Sequence, residues 1–244
     1  MAENLTLLGA GLTVFGALLT LGSHLLLENT PLTALGIGTV ILGLTFILTP
    51  AHPVPRETVQ AFVKSSCENV EAILEATGAF MKAFYLPSSE RVYAYVPLSP
   101  GQSITFEEIA GTAGSLLVRR GGDLGILIVP PGSVLVNSLA QEGAGGLSSS
   151  VEAILTEASE AAESVKTVEA NSMIIVEINR PRLDVEYSRF RTVLGSLPSS
   201  MAAQAAAAAL MKPVQIFSEE NQGKRILLYL RVLEWTDTPS TSQR

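Results

Sequence analysis

The residues best suited to binding chemistry form a short loop of glycine, serine and proline at residues 195–200 (GSLPSS), directly before an alanine-rich segment. Alanine strongly favours helix, so the loop should lie at a helix start. Backbone N–H groups there lack intrahelical acceptors and attract negative charge. The loop lacks the Gly-Lys-Ser/Thr ending of a P-loop. We expect a small-ligand or small-anion site here, and simple helix capping is the competing interpretation. The residues of the site would be Gly195, Ser196, Ser199 and Ser200.

Side chains that perform catalysis in pairs or triads are scarce. The only cysteine, Cys67, would need a nearby base to act as a nucleophile. The only two histidines, His24 and His52, lie in or beside the apolar N-terminal segment. A Ser-His-Asp site or a multi-cysteine metal site therefore has no support. We expect no catalytic residues, no metal and no cofactor, and the composition favours a non-enzymatic protein.

Two further groups of charges could attract an anion. Residues 119–123 (RRGGD) place two arginines at a predicted hairpin tip, where a solvated turn competes with phosphate binding. A second arginine cluster lies near Asp184 and Glu186, which should balance its charge. The formal net charge of −7 argues against nucleic-acid binding. The arginines of the second cluster are Arg180, Arg182, Arg189 and Arg191.

Two apolar runs at the N-terminus, residues 5–27 and 32–49, must set the surroundings of these groups. About 20 apolar residues suffice for a helix to cross a bilayer. The first run meets that length, the second approaches it, and residues 28–31 (ENTP) form a turn between them. We expect a transmembrane helical hairpin embedded in the lipid bilayer.

Small and hydroxyl residues recur at helical spacing in both runs. Small faces let helix backbones approach closely in lipid, where hydrophobic association is absent. We expect these faces to pack the hairpin on itself, with oligomerisation through a small face as the alternative. The absence of Asp, Glu, Lys and Arg within the runs argues against an ion pathway. The residues concerned are Gly9, Thr13 and Gly16 in the first run, and Gly36 and Gly43 in the second.

The distribution of cations predicts the orientation of the hairpin. No Lys or Arg occurs before Arg56, and Lys64 follows it closely. Because cytoplasmic flanks carry the excess of Lys and Arg, both ends of the hairpin should be cytoplasmic. The remaining chain would then be a cytoplasmic domain of a multi-pass membrane protein, open to a homo-oligomeric or cytoplasmic protein partner.

Residues 56–235 read as a soluble α+β domain. It follows a stiff linker at 51–55, has a flexible connection near 142–148, and ends in a polar tail, 236–244, predicted to be disordered. Helical periodicity and caps predict helices over residues 56–84, 106–110, 133–141, 151–168 and 201–211. β-Branched and aromatic runs predict strands over residues 91–97, 116–119, 124–129, 172–179, 214–217 and 225–233.

A five-residue sequence, VEAIL, occurs at residues 70–74 and again at 151–155. In both places a predicted helix precedes a predicted strand. Repeated helix-then-strand units would make the domain a product of duplication. Chance is the alternative, because these residues are common in helices.

Residues 127–135 (LIVPPGSVL) and 194–216 resemble segments of a poorly characterised archaeal membrane-protein family with two N-terminal spans and a cytoplasmic α+β domain. In that family the second segment reads Gly-x-Pro, small residues, an alanine-rich helix and a Pro-Val strand. Gly195, Pro198, Ser200 and Pro213 follow this pattern loosely. Some relatives carry cysteines in the loop and this chain does not, so the resemblance implies neither a metal role nor an activity.

Three functional hypotheses follow. The leading one is a membrane-anchored, non-enzymatic binding or scaffold domain. The second is an enzyme or small-anion sensor that uses the loop at residues 195–200. The third is a structural membrane organiser that oligomerises through the small faces of the hairpin.

Overall fold

The computed structural model describes residues 2–25, 28–48, 56–112, 114–142, 146–170, 172–183 and 185–239. It divides into two compact units, Met1–Val59 and Gln60–Arg244. The predicted linker at 51–55, residues 143–145 of the predicted connection and residues 240–244 of the predicted tail lie outside the described residues.

The first unit contains two apolar helices, α1 (Ala2–Leu25) and α2 (Thr30–Leu48). Both are long and apolar enough to cross a membrane, and only 17% and 11% of their apolar windows are buried. A third stretch, Ser188–Leu210, also passes that test of length and composition, but 89% of it is buried inside the second unit. Its apolar character therefore reflects the core of a domain, whereas α1 and α2 present their leucines outward.

The small residues of α1 and α2 lie where the two helices cross. A Cβ atom built on Gly43 would lie 2.6 Å from the Thr13 nitrogen, and one on Gly16 would lie 2.9 Å from the Gly36 oxygen. Gly9 likewise lies against the Gly43 carbonyl. The Thr13 hydroxyl donates to the Gly9 carbonyl at 2.8 Å, which removes a polar group from the apolar surface. The backbones approach this closely because these positions carry little or no side chain.

The second unit is built on one eight-stranded antiparallel sheet with strand order β3-β4-β2-β1-β7-β8-β6-β5. The predicted α+β fold class is thus confirmed. The helices are α3 (Arg56–Ala76), α4 (Phe106–Ala110), α5 (Ser133–Glu142), α6 (Gly146–Glu152, continuing as a π-helix over Ala153–Ala158), α7 (Ser188–Leu194) and α8 (Leu197–Leu210). The strands are β1 (Phe84–Pro87), β2 (Val92–Pro97), β3 (Leu117–Arg120), β4 (Asp123–Ile128), β5 (Ser164–Ala170), β6 (Met173–Asn179), β7 (Val214–Asn221) and β8 (Arg225–Val232).

Two buried clusters lie on opposite faces of the sheet. The larger joins inward residues of the strands to α3, α5, α6, α7 and α8, and alternate β6 residues such as Val176 belong to it. The smaller covers the other face at β1, β2 and β4, where α4 contributes Phe106 and Ile109. Phe106 packs against Phe84 with ring centroids 4.9 Å apart. The alanine-rich α8 packs against both the sheet and neighbouring helices, which its thin profile allows.

Each half of the sheet has the same topology. The strand order is β3-β4-β2-β1 in the first half and β7-β8-β6-β5 in the second. If the strands of each half are numbered one to four along the chain, the order across the sheet is 3-4-2-1 in both halves. The shared strand order supports the duplication hypothesis, and α8 then has no counterpart in the first half. The sequence offset that aligns Val70 with Val151 does not extend into the strands, because it would align Phe84 with Val165, and these two residues belong to clusters on opposite faces of the sheet.

Two predicted helices were too long. The helix predicted over residues 56–84 ends at Ala76, because Gly78 adopts φ 65° and the Ala79 N–H bonds back to the Leu74 carbonyl. The helix predicted over residues 151–168 turns at Glu160, with φ 49°, and residues 164–170 form β5 instead. Pairing of β5 along the whole length of β6 overrides the local helical tendency.

Strand β1 lies outside the strands predicted from the sequence and includes Leu86 and Pro87. The segment that follows β8 contacts α4. There the Asp237 carbonyl accepts from the Phe106 N–H and the Trp235 carbonyl from the Glu107 N–H. These carbonyls occupy donors at the start of α4 that the helix itself cannot satisfy.

Candidate functional site

The predicted ligand loop lies at the N-terminus of α8, but the helix begins earlier than expected. Ser196 is the N-cap, and its side chain accepts from the Ser199 N–H. The predicted helix start at Met201 is therefore wrong, and α8 begins at Leu197. Pro198 falls within the first turn, where its missing N–H costs no intrahelical bond. Gly195 precedes the cap with φ 78°, a conformation that favours glycine.

The serine side chains of the loop face inward. Ser196, Ser199 and Ser200 are all buried, and the Ser196 hydroxyl bonds to that of Ser199 at 2.8 Å. The buried Tyr85 hydroxyl donates to the Leu194 carbonyl at 2.8 Å and contacts the Ser200 hydroxyl at 2.9 Å. Burial raises the pKa of Tyr85, so this group stays a neutral donor. These hydroxyls hold the loop in place and are not open to a ligand.

A β-bulge in β7 delivers a carboxylate to the loop. The register of β7 against β8 shifts between Ile216 and Ser218, so Phe217 is the extra residue. Beyond the bulge Glu219 pairs with Leu228, a fully buried residue of the core that carries the helices. Without the extra residue, strand alternation would point Glu219 to the opposite face. The bulge therefore aims Glu219 at the start of α8.

The Glu219 carboxylate lies at the start of α8. One of its oxygens accepts the Ser196 N–H at 2.9 Å, and the other lies 3.6 Å from Nη2 of Arg191. Lys82 is the second cation, and its ammonium donates to the Phe217 carbonyl of the bulge. Partial burial lowers the pKa of Lys82, while the nearby Glu219 carboxylate opposes that shift.

An open pocket of about 340 Å³ adjoins this arrangement. Lys82 and Arg191 bring two positive charges to its wall, and Glu219 brings one negative charge, so these three side chains sum to a positive charge. Side chains of both polar and apolar character line it, including Thr192, Ile216 and Asn221. Two cations and a helix-start N–H are the donors that a carboxylate, sulfate or phosphate group requires.

A second carboxylate caps a helix without forming such a pocket. Glu71 of α3 accepts the Arg189 N–H at 2.9 Å and also the Phe190 N–H at the start of α7. The described residues place no cation in an ion pair with Glu71. Glu71 therefore provides an internal comparison, since it has the capping role of Glu219 without the adjoining cationic pocket.

Several of the other charged groups noted in the sequence form ion pairs or hydrogen bonds away from this pocket. At the β3–β4 hairpin, Arg120 pairs with Glu108 at 2.9 Å. Asp123 accepts from Ser103 N–H at 2.8 Å and from Ile104 N–H at 3.0 Å, and these bonds lower its pKa. Of the second arginine cluster, Arg180 pairs with Glu163 at 2.8 Å, and only Arg191 lines the pocket described above. Asp184 lies outside the described residues.

Cys67 is expected to resist thiol reagents in the folded protein. Its side chain is fully buried, and burial raises its pKa to about 11, so almost no thiolate forms near neutral pH. Maleimide labelling at pH 7.5, followed by intact mass, should leave the native chain unmodified and modify it once after denaturation. Rapid labelling without denaturant would contradict this packing. Within the part of the chain that the structure describes, no cluster of three His, Cys, Asp or Glu residues is arranged to hold a metal ion.

Comparison with known families places the sequence in one of them. Residues 4–232 match a family described as a domain of unknown function, DUF7982. The chain belongs to the DUF7982 family. The matched region of this family includes both apolar helices and every residue of the pocket. Searches among curated proteins and among solved structures gave no match.

The residues that line this pocket of the DUF7982 chain differ in how far their sequence context indicates them. The loop at residues 195–200 and the Arg191 cluster were recognisable from residue types. Lys82 and Glu219 were not, because they lie far from the loop in sequence and reach it through β-sheet pairing and a bulge. The polar character of residues 218–221 (SEEN), directly after an apolar strand start, was the one available signal.

Proposed function

We propose that this protein is a membrane-anchored binding domain whose pocket takes a small anion at the start of α8. The observation that carries the proposal is the placement of Glu219. Its carboxylate is held by the Ser196 N–H and faces Arg191 and Lys82 at the edge of an open pocket. Glu219 thus acts as an internal anion that a carboxylate, sulfate or phosphate ligand would replace.

The two apolar helices supply the anchor in this proposal. They would cross the membrane as a hairpin, with the α+β domain on the cytoplasmic side, as the positions of Arg56 and Lys64 favour. The resemblance to archaeal membrane proteins suggests an archaeal cell membrane. A binding domain at that surface would report or present a cytoplasmic anion rather than transform it.

Replacement of the Glu219 carboxylate by a bound anion would give the pocket two states. When the ligand is absent, Glu219 neutralises part of the positive charge and caps α8. When the ligand binds, Glu219 must leave the Ser196 N–H and rotate towards solvent at the pocket. Because Glu219 follows the bulge, such a movement would also shift Phe217 and change the hydrogen bond from Lys82 to the Phe217 carbonyl.

A thermal-stability screen of the full chain in detergent micelles tests the proposal. Sulfate, phosphate and citrate are the probes, and at least one should raise the midpoint in a saturable way because only the folded state has the pocket. Arg191→Ala should markedly reduce the shift at a given anion concentration, while Arg120→Ala, at a distant ion pair, should preserve it. The proposal fails if no anion stabilises the chain or if Arg191→Ala responds like the wild type. Turnover of a bound metabolite would contradict a pure binding role.

Sulfate affinity should fall with rising pH before an ordinary lysine would lose its proton. Lys82 has a lowered pKa, so its ammonium loses its proton at a lower pH than the ordinary value of about 10.4, and the pocket then loses a positive charge. Sulfate keeps its own charge over this range, so the change reports on the protein. Isothermal titration between pH 7.5 and 10 measures it. Lys82→Arg should flatten the profile because arginine stays charged; an equally steep decline in that variant would contradict the assignment.

A further inference from the structure

The second half of the sheet has an uncovered face on the side away from the helices. Strand pairing aligns Val168, Ile175 and Tyr229 in one row across β5, β6 and β8. Strand β7 continues the row with Ser218, which pairs with Tyr229, and the bulge residue Phe217 lies beside Ser218. Val168 is 58% exposed and Phe217 is 49% exposed. An apolar row is unusual for a solvated sheet face, which normally carries polar residues.

The first half of the sheet shows how the same face is covered elsewhere in this chain. There α4 and the segment after β8 bury β1, β2 and β4 with Phe106, Ile109 and Leu233. By the shared topology, α7 takes the place of α4 in the second half. Phe190 and Val193 of α7, however, join the core on the opposite face. Among the described residues no helix covers the corresponding face of the second half, and its apolar row is partly exposed.

We propose that a second copy of this chain covers the exposed face, sheet against sheet. The face is continuous with the covered face of the first half, because Gln215 of β7 pairs with Phe84 of β1. A twofold axis along the apolar row would stack Val168, Ile175 and Tyr229 on the same residues of the other copy. Face-to-face sheets keep their strands within about 30° of one another and lie about 10 Å apart.

The charges on either side of the row suit this arrangement. On one side Met173 pairs with Arg231, which lies over the Phe217 ring at 4.7 Å. On the other side Glu177 and Glu220 flank Leu227, while Lys166 pairs with Glu177 across the strands and Arg225 lies 3.2 Å from the Glu177 carboxylate. The twofold axis reverses the strands, so Arg231 of one copy lies over Leu227 of the other, between Glu177 and Glu220. Arg231 of each copy then meets the negative charge that Lys166 and Arg225 leave unbalanced.

The size of the face sets the expected strength. Four strands and three rows form a face of roughly 20 by 20 Å, given strand spacing near 4.8 Å. This is about half of a standard interface, so a dissociation constant in the micromolar range is expected. The dimer uses the face of the sheet opposite the one that carries the anion pocket.

Sedimentation equilibrium of the full chain in density-matched detergent, at roughly 1–100 μM, tests the dimer. The wild type should associate, and Val168→Lys should raise the dissociation constant roughly tenfold or more, because it places two cations together in the apolar row. Leu117→Lys is the matched control, since Leu117 is similarly exposed on the opposite edge strand. It should associate like the wild type.

Cross-linking distinguishes this interface from association through the membrane helices. Val168→Cys should be joined efficiently by a bismaleimide of about 10 Å, the separation of packed sheets. Glu107→Cys, exposed on α4 over the first half, should not. The buried Cys67 does not compete. A wild type that stays monomeric, a dimer unaffected by Val168→Lys, or equal cross-linking at the two cysteines would overturn the proposal.

Discussion

Gly36→Ile is expected to force the two helices of the hairpin apart. A Cβ atom at Gly36 would lie 2.4 Å from the Thr20 hydroxyl oxygen and 2.7 Å from the Thr20 nitrogen. The nitrogen belongs to the backbone of α1, so the clash cannot be relieved by a side-chain rotation. Overpacking of this kind costs about 1–3 kcal/mol even where the surroundings adjust. In lipid, no hydrophobic drive between the helices compensates for the lost contact.

A pair of spin labels at the far end of the hairpin measures this separation. Leu7 of α1 and Leu48 of α2 are exposed, at 77% and 78%, so labels on Leu7→Cys and Leu48→Cys leave the helix contact intact. Adding Gly36→Ile to this pair should increase the distance between the labels. Gly38→Ile is the matched control, because no atom lies within 4 Å of its added Cβ. Equal distances in the two backgrounds would show that Gly36 does not hold the helices together.

Glu219→Gln and Arg191→Ala are expected to change sulfate affinity in opposite directions. Removing the Glu219 charge takes away both the internal competitor and its repulsion of the ligand, so sulfate should bind roughly tenfold more tightly. Removing Arg191 takes away a charged hydrogen-bond donor, so binding should weaken roughly tenfold. Isothermal titration of the full chain measures both.

The stability of the same variants separates binding from capping. Glu219→Gln weakens the charge at the start of α8 and should lower the free energy of unfolding by about 1 kcal/mol. Glu71→Gln should destabilise the protein similarly through α7, yet leave sulfate affinity unchanged, because no cationic pocket adjoins it. If Glu219→Gln also leaves the affinity unchanged, Glu219 is only a helix cap.

The elements with strong local signals could be predicted from sequence. The apolar lengths of α1 and α2, the hairpin at residues 119–123 and the alanine-rich helix follow from composition and spacing. The α+β class follows from their order. β5 could not be recognised in this way, because its strand character depends on the full pairing with β6 and not on residues 164–170 alone.

Only part of the candidate site could be predicted from the sequence, for a related reason. A serine-rich loop before a helix predicts a small-anion site, and in the structure a carboxylate of the protein itself accepts the Ser196 N–H there. That carboxylate belongs to Glu219, and its direction depends on one extra residue in β7. A bulge shifts every later side chain of the strand to the other face of the sheet. The residue types at positions 216–218 do not indicate that a bulge is present.

The most direct test of the anion pocket is the Ser196 amide itself. Selective ¹⁵N-serine labelling of the full chain in micelles allows its resonance to be followed during a sulfate titration. If sulfate replaces Glu219, the Ser196 signal should shift saturably, and in Glu219→Gln the same end point should be reached at lower sulfate concentration. A Ser196 signal that stays unchanged while sulfate is present in excess would show that Glu219 keeps its place and that the pocket is not an anion site.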